Sequence, residues 1–357
     1  MKKNKIVLLD AHAIIHRAYH ALPDFQTREG KPTGALYGLS AMIISIIDQL
    51  KPDDLIACYD LPKPTFRHQA YEEYKGTRKK TDENLIEQLK ESYDIFEAFN
   101  IPTYSKEGFE ADDILGTLAE KLKKNSENEI VIASGDMDIL QLVDENVKVY
   151  TFKKGIKDTI IYDKKAVEEK MNFGPEFITD YKGLAGDNSD NIPGIPGVGA
   201  KTATTLIKNF GHIENIYKEL KKNEDQFLET GLTKRIIGLL KEHREEAFFS
   251  KELAIIRRDV EFEFSLPKKK FLENLDFSKT GEIFRKLEFR ALNDRLKKAL
   301  GLKTEKEEIE KLEKQIVKSS ISEGNTLNEK KLKELKLALT ILNPNLTDPS
   351  LDDIVNF

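Results

Sequence analysis

Three short apolar runs punctuate the first half of the chain, and each ends on carboxylates. Lys5-Ile-Val-Leu-Leu-Asp10 is the first, Leu55-Ile-Ala-Cys-Tyr-Asp60 the second and Glu129-Ile-Val-Ile-Ala-Ser-Gly-Asp136 the third. Runs this short, β-branched and without polar alternation predict strands buried on both faces, as in a parallel sheet. Between the first two, Leu36, Leu39, Ile43, Ile46, Ile47 and Leu50 recur at helical spacing within Gly34 to Leu50. Glu83 to Phe99 and Ala111 to Leu122 carry the same helical signature between the second and third. Strand–helix alternation implies right-handed crossovers and an α/β fold. In such sheets the site lies outside the carboxyl ends of the strands, where all three runs place acids.

From Phe177 the strand signal fades, and helical patterns separated by Gly and Pro continue to Leu300. The reading is a parallel-sheet core over 1–176 and a mostly helical lobe over 177–300. Residues 301–329 read as a charged helix, Leu302 to Lys318, followed by a linker from Ser319 to Thr326. Lys330 to Leu342, within a last segment 330–357, is apolar enough to need a partner surface. No internal repeat stands out.

Composition narrows the class. The chain has 357 residues with 39% hydrophobic and 33% charged, which describes a globular protein of about two domains. Its formal net charge of −5 excludes a globally basic nucleic-acid coat but leaves room for a local basic patch. The single cysteine, Cys58, excludes a disulfide framework and a cysteine-built zinc site, and fits a reducing cytoplasm. The basic start is followed by an apolar run that stops at Asp10, too short for a signal peptide. No run approaches ~18 apolar residues, so no membrane span is expected.

The strongest chemical signal is a constellation of nine acids: Asp10, Asp60, Glu110, Asp112, Asp113, Asp136, Asp138, Asp187 and Asp190. On a helix, Glu110 and Asp113 share a face; in an extended segment, Asp136 and Asp138 share a side. Taken singly, Asp-x-Asp pairs are commonly caps, and Asp112 and Asp113 suit a helix N-terminus electrostatically. Jointly, four clusters fall at one edge of one predicted sheet. Like charges so close raise one another's pKa unless cations fill the space. Oxygen donors without Cys or His select Mg²⁺ or Mn²⁺ over zinc. Two such ions can activate a nucleophile and stabilise the leaving oxygen of a phosphodiester. A structural calcium site is disfavoured, because no EF-hand loop is present.

Gly194-Ile-Pro-Gly-Val-Gly-Ala-Lys-Thr-Ala203 is the second signal. Gly197 and Gly199 permit close backbone approach and positive φ, and Gly194 opens the same segment. A helix starting near Ala200 would aim free N–H groups at a phosphate, with Lys201 and Thr202 beside it. This reads as a helix-hairpin-helix that grips a DNA backbone without reading sequence. A nucleotide P-loop fails on spacing, because Ala200 separates Gly199 from Lys201.

A basic segment from Leu61 to Thr81 carries Arg67, Lys75 and Arg78 with Tyr71 and Tyr74 between them, and it overhangs the predicted acid edge. A metal-activated hydrolase needs such cations to hold phosphates over its acids; Arg17, beyond Asp10, could serve likewise. His12, His16 and His20 share a helix face but have no second nitrogen or sulfur cluster nearby, and they read as ordinary helix residues.

Leu8-Leu-Asp10, Tyr59-Asp60, Pro64-Thr-Phe-Arg-His68, Tyr74-Lys-Gly-Thr-Arg78, Glu110-Ala-Asp-Asp113, Ser134-Gly-Asp-Met-Asp138 and Gly186 through Ala203 together resemble the 5′ nuclease domain found in bacterial polymerases I, within the flap endonuclease family. The match runs in order from about Lys5 to about Leu300. The resemblance implies a PIN-like nuclease core with a helical arch, followed by the helix-hairpin-helix lobe. It implies a 5′-3′ exonuclease and 5′ flap endonuclease that uses two Mg²⁺ or Mn²⁺ on DNA with flaps, nicks or RNA primers. Asp10, Asp60, Glu110 and Asp112 would hold the first ion. Asp136, Asp138, Asp187 and Asp190 would hold or orient the second, with Asp113 assisting. Lys75 and Arg78 would clamp the scissile phosphate, Arg17 and Arg67 would contact phosphates, and the hairpin would grip duplex with a K⁺ ion. Leu337 to Val355 resembles the opening of a proofreading-like domain, which implies the N-terminal part of a longer polymerase, with the polymerase domains as further partners and no synthesis by these residues alone. The competing reading is a non-catalytic DNA clamp of a split polymerase; the full acid set argues against it. A PIN-type ribonuclease toxin ranks last, for want of a hairpin and basic arch.

Overall fold

Successive residues of a strand point to opposite faces, and in the first strand both faces are apolar. In β1 (Asn4–Asp10), Ile6 and Leu8 enter one core while Val7 and Leu9 enter the other. The computed structural model of the protein describes residues 3–153 and 158–303. The other strands are β2 (Asp54–Cys58), β3 (Thr103–Tyr104), β4 (Asn128–Ala133), β5 (Val147–Phe152) and β6 (Thr159–Tyr162). They form one sheet in the order β3-β2-β1-β4-β5-β6, parallel except for the antiparallel β5–β6 pair.

The helices are α1 (Ala11–Ala21), α2 (Gly34–Leu50), α3 (Phe66–Ala70), α4 (Glu83–Ala98), α5 (Ala111–Leu122), α6 (Lys164–Met171), α7 (Ile178–Ala185) and α8 (Ala200–Phe210). They continue with α9 (Ile213–Lys222), α10 (Asp225–Glu229), α11 (Lys234–Glu242), α12 (Arg244–Ala254), α13 (Phe271–Asn274), α14 (Phe277–Lys286) and α15 (Arg290–Ala299). One sheet face is covered by α5, whose Ile114, Leu115 and Leu118 meet Ile6, Leu8, Ile130 and Ile132; the core then extends through α7 to α11. The other face is covered by α1, α2 and α4, joined by α14 and α15. Leu36, Leu39, Ile43, Ile46 and Ile47 of α2 are all buried. At roughly 1.5–3 kcal/mol for each fully buried apolar side chain, α2 is the main anchor of that face.

The expected strands and the helices at Gly34, Glu83 and Ala111 form with ends shifted by three residues or fewer, the second and third strands stopping short of their terminal acids. Three strands were not anticipated. β3 is two residues long, too short for periodicity, and β5 and β6 mix Lys, Thr and Tyr among their apolar positions. The helical region after residue 177 divides. Its first part extends the α5 face, whereas Phe284, Phe289, Leu292 and Leu296 return to the α2 face of the sheet. Met1–Leu300 forms one compact unit. The expected charged helix, linker and final apolar segment fall in 304–357, outside the described residues.

Candidate active site

Asp10 closes β1 and caps α1, its Oδ1 accepting from the Ala13 N–H at 3.0 Å. Its Oδ2 accepts from the Ser134 hydroxyl at 2.6 Å, and that hydroxyl accepts from the Asp136 N–H at 2.9 Å. Asp60, just beyond β2, accepts from the Ala111 N–H at 2.7 Å and so fastens the β2 loop to the start of α5. Glu110 caps α5 in a capping box with Asp113. Asp136 and Asp138 follow β4, and the Asp138 N–H donates to Asp136 Oδ1 at 2.8 Å. The parallel sheet thus delivers these acids to one edge.

Asp10, Asp60, Glu110, Asp112 and Asp136 line a single cleft of about 270 Å³, with Lys75 and Arg78 on its wall. Asp112 makes no hydrogen bond or ion pair with any described side chain. Burial, then the charges of Asp10, Asp136 and Asp60, hold its carboxyl well above the ordinary range. Burial also pushes Asp10 up to about 7; the Ser134 and Ala13 hydrogen bonds oppose this, and Asp60 and Asp136 add to it. These acids are short of positive charge. Their donors are oxygens, and the chemistry of that set fits a hard divalent cation. His12 and His16 line the same cleft. Burial lowers the pKa of both, which keeps their rings neutral near pH 7. The reading of these two as ordinary helix residues missed that position, which the strand-ending Asp10 two residues before His12 could have signalled.

The other acids are paired. Lys182, on α7 and buried, bridges Asp138 and Asp187 with its ammonium. Burial opposes that charge, yet the two carboxylates hold the Lys182 pKa up. Asp138 is itself pushed up to about 6, first by burial and then by Asp136 and Asp187, against the pull of Lys182. Asp187 Oδ1 accepts from the Ser189 N–H and hydroxyl at 2.8 and 2.6 Å.

Asp190 and Glu110 are held by the basic segment. Lys75 Nζ lies 2.8 Å from Glu110 Oε1 and 4.0 Å from Asp190 Oδ2, and Arg78 pairs with Asp190 at 2.5 Å. The buried Tyr74 hydroxyl lies 3.2 Å from Glu110 and 3.1 Å from Asp190. The helical arch expected over this stretch is the five-residue α3 and a run of turns. These contacts draw the segment down onto the acids, and Lys75 adopts a left-handed backbone, φ 56°, to reach them.

Three of the expected site residues are engaged by the packing. Asp113, expected to assist a metal, is fully buried, and both its oxygens pair with Arg67. Arg67, expected at a phosphate, is spent on that pair and on the Leu253 and Ile255 carbonyls. Burial of the α5 cap explains both, since its N–H groups and Asp113 need an internal partner. Arg17 donates to the Lys153 carbonyl rather than projecting freely.

The glycine segment joins α7 to α8. Gly194 has φ 63° and Gly197 φ 83°, both left-handed. Gly199 precedes α8, whose first N–H groups have no side-chain cap and stand beside exposed Lys201 and half-buried Thr202. Arg235 of α11 reaches toward Gly197, its guanidinium 3.4 Å from where a Cβ would sit. Sequence reasoning missed Tyr74 as an anchor, Lys182 and Arg235; the last two lie on helices with no motif around them.

Asp180, His212 and Glu214 also lie close enough to share a metal ion. Lys251 already bridges that group, 2.6 Å from Asp180 and 2.9 Å from Glu214, and Asp180 Oδ1 accepts from the Ile213 N–H at 2.9 Å. This cluster ties α7, α9 and α12 together. Among the described residues no helix is long and apolar enough to cross a membrane.

Residues 5–172 match the family model of the 5′-3′ exonuclease N-terminal resolvase-like domain, and 173–276 that of the 5′-3′ exonuclease C-terminal SAM fold. The chain is 36% identical over 303 residues to a 5′-3′ exonuclease of Buchnera aphidicola, covering 85% of this chain and 98% of that one. It is 39% identical over 294 residues to a DNA polymerase I of Bacillus caldotenax, covering 82% of this chain and 32% of the polymerase. The chain therefore spans about a third of the curated polymerases it matches. A structure of the phage T5 5′-exonuclease with bound divalent zinc ions shares the fold, with a TM-score of 0.58 at 22% identity over 84% of this chain and 99% of that one.

Proposed function

We propose, for a chain that belongs to the 5′-3′ exonuclease family, a divalent-metal-dependent nuclease that removes 5′ flaps, nicked-strand nucleotides and RNA primers from DNA. The carrying observation is the cleft where Asp10, Asp60, Asp112 and Asp136 converge without a lysine or arginine partner among the described residues, while burial and the neighbouring carboxylates push the Asp112 and Asp10 carboxyls above the ordinary range. Mg²⁺ or Mn²⁺ is the cation such donors select.

In this reading Asp10, Asp60, Asp112 and Asp136 hold the first cation, with Glu110 at its rim. Asp138 and Asp187 offer the second position. When bound, the pair of ions supplies a nucleophilic hydroxide and stabilises the leaving oxygen. The rest falls to side chains. Lys75 and Arg78 are paired with Glu110 and Asp190, and both stand at the cleft wall. An entering phosphate exchanges those carboxylates for its own oxygens, so the two cations orient the scissile group. Neutral His12 and His16 leave the charge of the cleft to the acids.

The hairpin between α7 and α8 would grip duplex through the uncapped N–H groups of α8, Lys201, Thr202 and Arg235, with a K⁺ ion at the turn. Residues 1–176 then carry most of the chemistry, while 177–300 add Asp187 and Asp190 to the site and supply the grip. Membership in a polymerase I, with its other domains as partners, and residence in the cytoplasm belong to the same proposal.

The test is cleavage of a 5′-labelled flap duplex with Mg²⁺, beside EDTA and Asp136→Ala. Metal-dependent cutting near the junction, lost in the variant, supports the reading. Binding without cutting in Mg²⁺ and Mn²⁺ overturns it in favour of a DNA clamp.

A further inference from the structure

We infer that Lys182 is a resident cation at the second metal position, and that a divalent ion enters there only by displacing its ammonium. The inference rests on the metal-dependent reading above. It goes beyond it in making the two metal positions unequal by construction.

The two groups of acids differ in one respect. Asp10, Asp112 and Asp136 have no lysine or arginine partner among the described residues, and Asp60 faces only His12, at 3.8 Å, whose ring burial keeps neutral. A cation entering that group displaces no side-chain ammonium or guanidinium. Asp138 and Asp187, by contrast, come from different elements, the turn after β4 and the segment after α7, and share one ammonium. Lys182 is only 7% exposed, so its charge is committed to that position.

Electrostatics gives the direction of the exchange. Two carboxylates and one ammonium sum to −1, and a divalent cation in place of the ammonium brings the group to zero. The ion must nevertheless break two charge-assisted contacts of Lys182, and each such contact is among the stronger hydrogen bonds in a protein. The second position is therefore the weaker of the two and fills after the first. A lysine at this place sets the affinity of the second ion without ligating it, which makes Lys182 a positioning residue.

The experiment is a Mn²⁺ titration of the full chain without DNA, read by the electron paramagnetic resonance signal of free Mn²⁺. Wild type is expected to show a tighter and a weaker site. In Lys182→Met the weaker site tightens by about tenfold or more, equivalent to ~1.4 kcal/mol, while the tighter site is unchanged. Lys182→Arg, which keeps a cation, stays near wild type. Circular dichroism checks the fold of each, and Lys182→Gln replaces Lys182→Met if the latter does not fold. A weaker site that is unchanged or loosened in the folded neutral variant overturns the inference and makes Lys182 a structural tether. Two sites insensitive to Lys182 leave the nuclease reading intact. A wild-type chain that binds no Mn²⁺ at all sinks both.

Discussion

Arg67 grips Asp113 with two parallel hydrogen bonds, Nη1 to Oδ2 and Nη2 to Oδ1, each 2.8 Å long, and both side chains are buried. The pair is a latch between α3 and α5. It extends further, because Arg67 also donates to the Leu253 and Ile255 carbonyls and Asp113 Oδ1 accepts from the Arg257 N–H at 2.9 Å. Removing one partner strands a buried charge. Arg67→Met is expected to cost ~3–5 kcal/mol of stability, and Arg67→Met with Asp113→Leu to recover much of that loss. Chemical denaturation measures both. The salt dependence of DNA binding should keep its slope in folded Arg67→Met, since a lost phosphate contact would reduce the slope by about 0.9.

Gly194 and Gly199 stand at either end of one turn and make opposite demands. A Cβ on Gly194 would lie 2.1 Å from the Gly186 nitrogen and 2.6 Å from its Cα, and its φ is 63°. A Cβ on Gly199 would meet nothing within 4 Å, and its φ of −94° suits any residue. Gly194→Ala should destabilise by ~2 kcal/mol or more, combining the clash with the left-handed backbone cost, and should weaken duplex binding. Gly199→Ala should remain within ~0.5 kcal/mol of wild type. Thermal melts of the two variants decide it. Equal losses would mean that the turn is rearranged in solution.

The acids of the cleft set a pH dependence whose sign runs against habit. The folded pKa of Asp10 is about 7 against an ordinary 3.8, and that of Asp138 about 6. The folded protein therefore binds more protons than the unfolded chain between those values, and stability falls as pH rises through them. In EDTA, Tm should fall from about pH 4 to about pH 7. A divalent cation should reverse the trend, because it replaces the protons. At roughly 1–2 °C per kcal/mol for a chain of this size, calorimetry in EDTA and in Mg²⁺ resolves the difference. A Tm that rises across this window in EDTA would sink the argument.

What the sequence disclosed divides along physical lines. The three apolar runs ending at Asp10, Asp60 and Asp136 were legible because strands buried on both faces need continuous apolar residues, and a parallel sheet then fixes where their ends meet. The glycine turn was legible in part: Gly197 is left-handed as expected, whereas Gly199, expected left-handed too, has φ −94° and Gly194 takes the other left-handed place. Residue type did not disclose which acids are free and which are paired. Asp112 and Asp113 are adjacent, yet one enters the cleft and the other faces Arg67, a choice made by helix phase and by a partner 46 residues away. Lys182 was invisible for the same reason, since nothing local marks a lysine as buried between carboxylates 44 and five residues distant in the chain.

Asp112 concentrates the conflict between stability and chemistry. Its carboxyl is buried, has no protein partner among the described residues, and is held well above the ordinary range by burial and then by Asp10, Asp136 and Asp60. Nothing in the fold needs that charge. Asp112→Asn is nearly isosteric and removes the repulsion, so it should raise Tm in EDTA at pH 7, where the unmodified site is most frustrated. The same change removes a cation ligand. Flap cleavage should fall by on the order of 10²-fold or more, as when one electrostatic group is taken from other active sites, and the stabilising effect of Mg²⁺ on Tm should shrink with it. The two effects separate this site from a structural one. An acid that served the fold would lower Tm when neutralised, whereas one kept for catalysis raises it as activity disappears. A lower Tm with full cleavage would remove Asp112 from the active site.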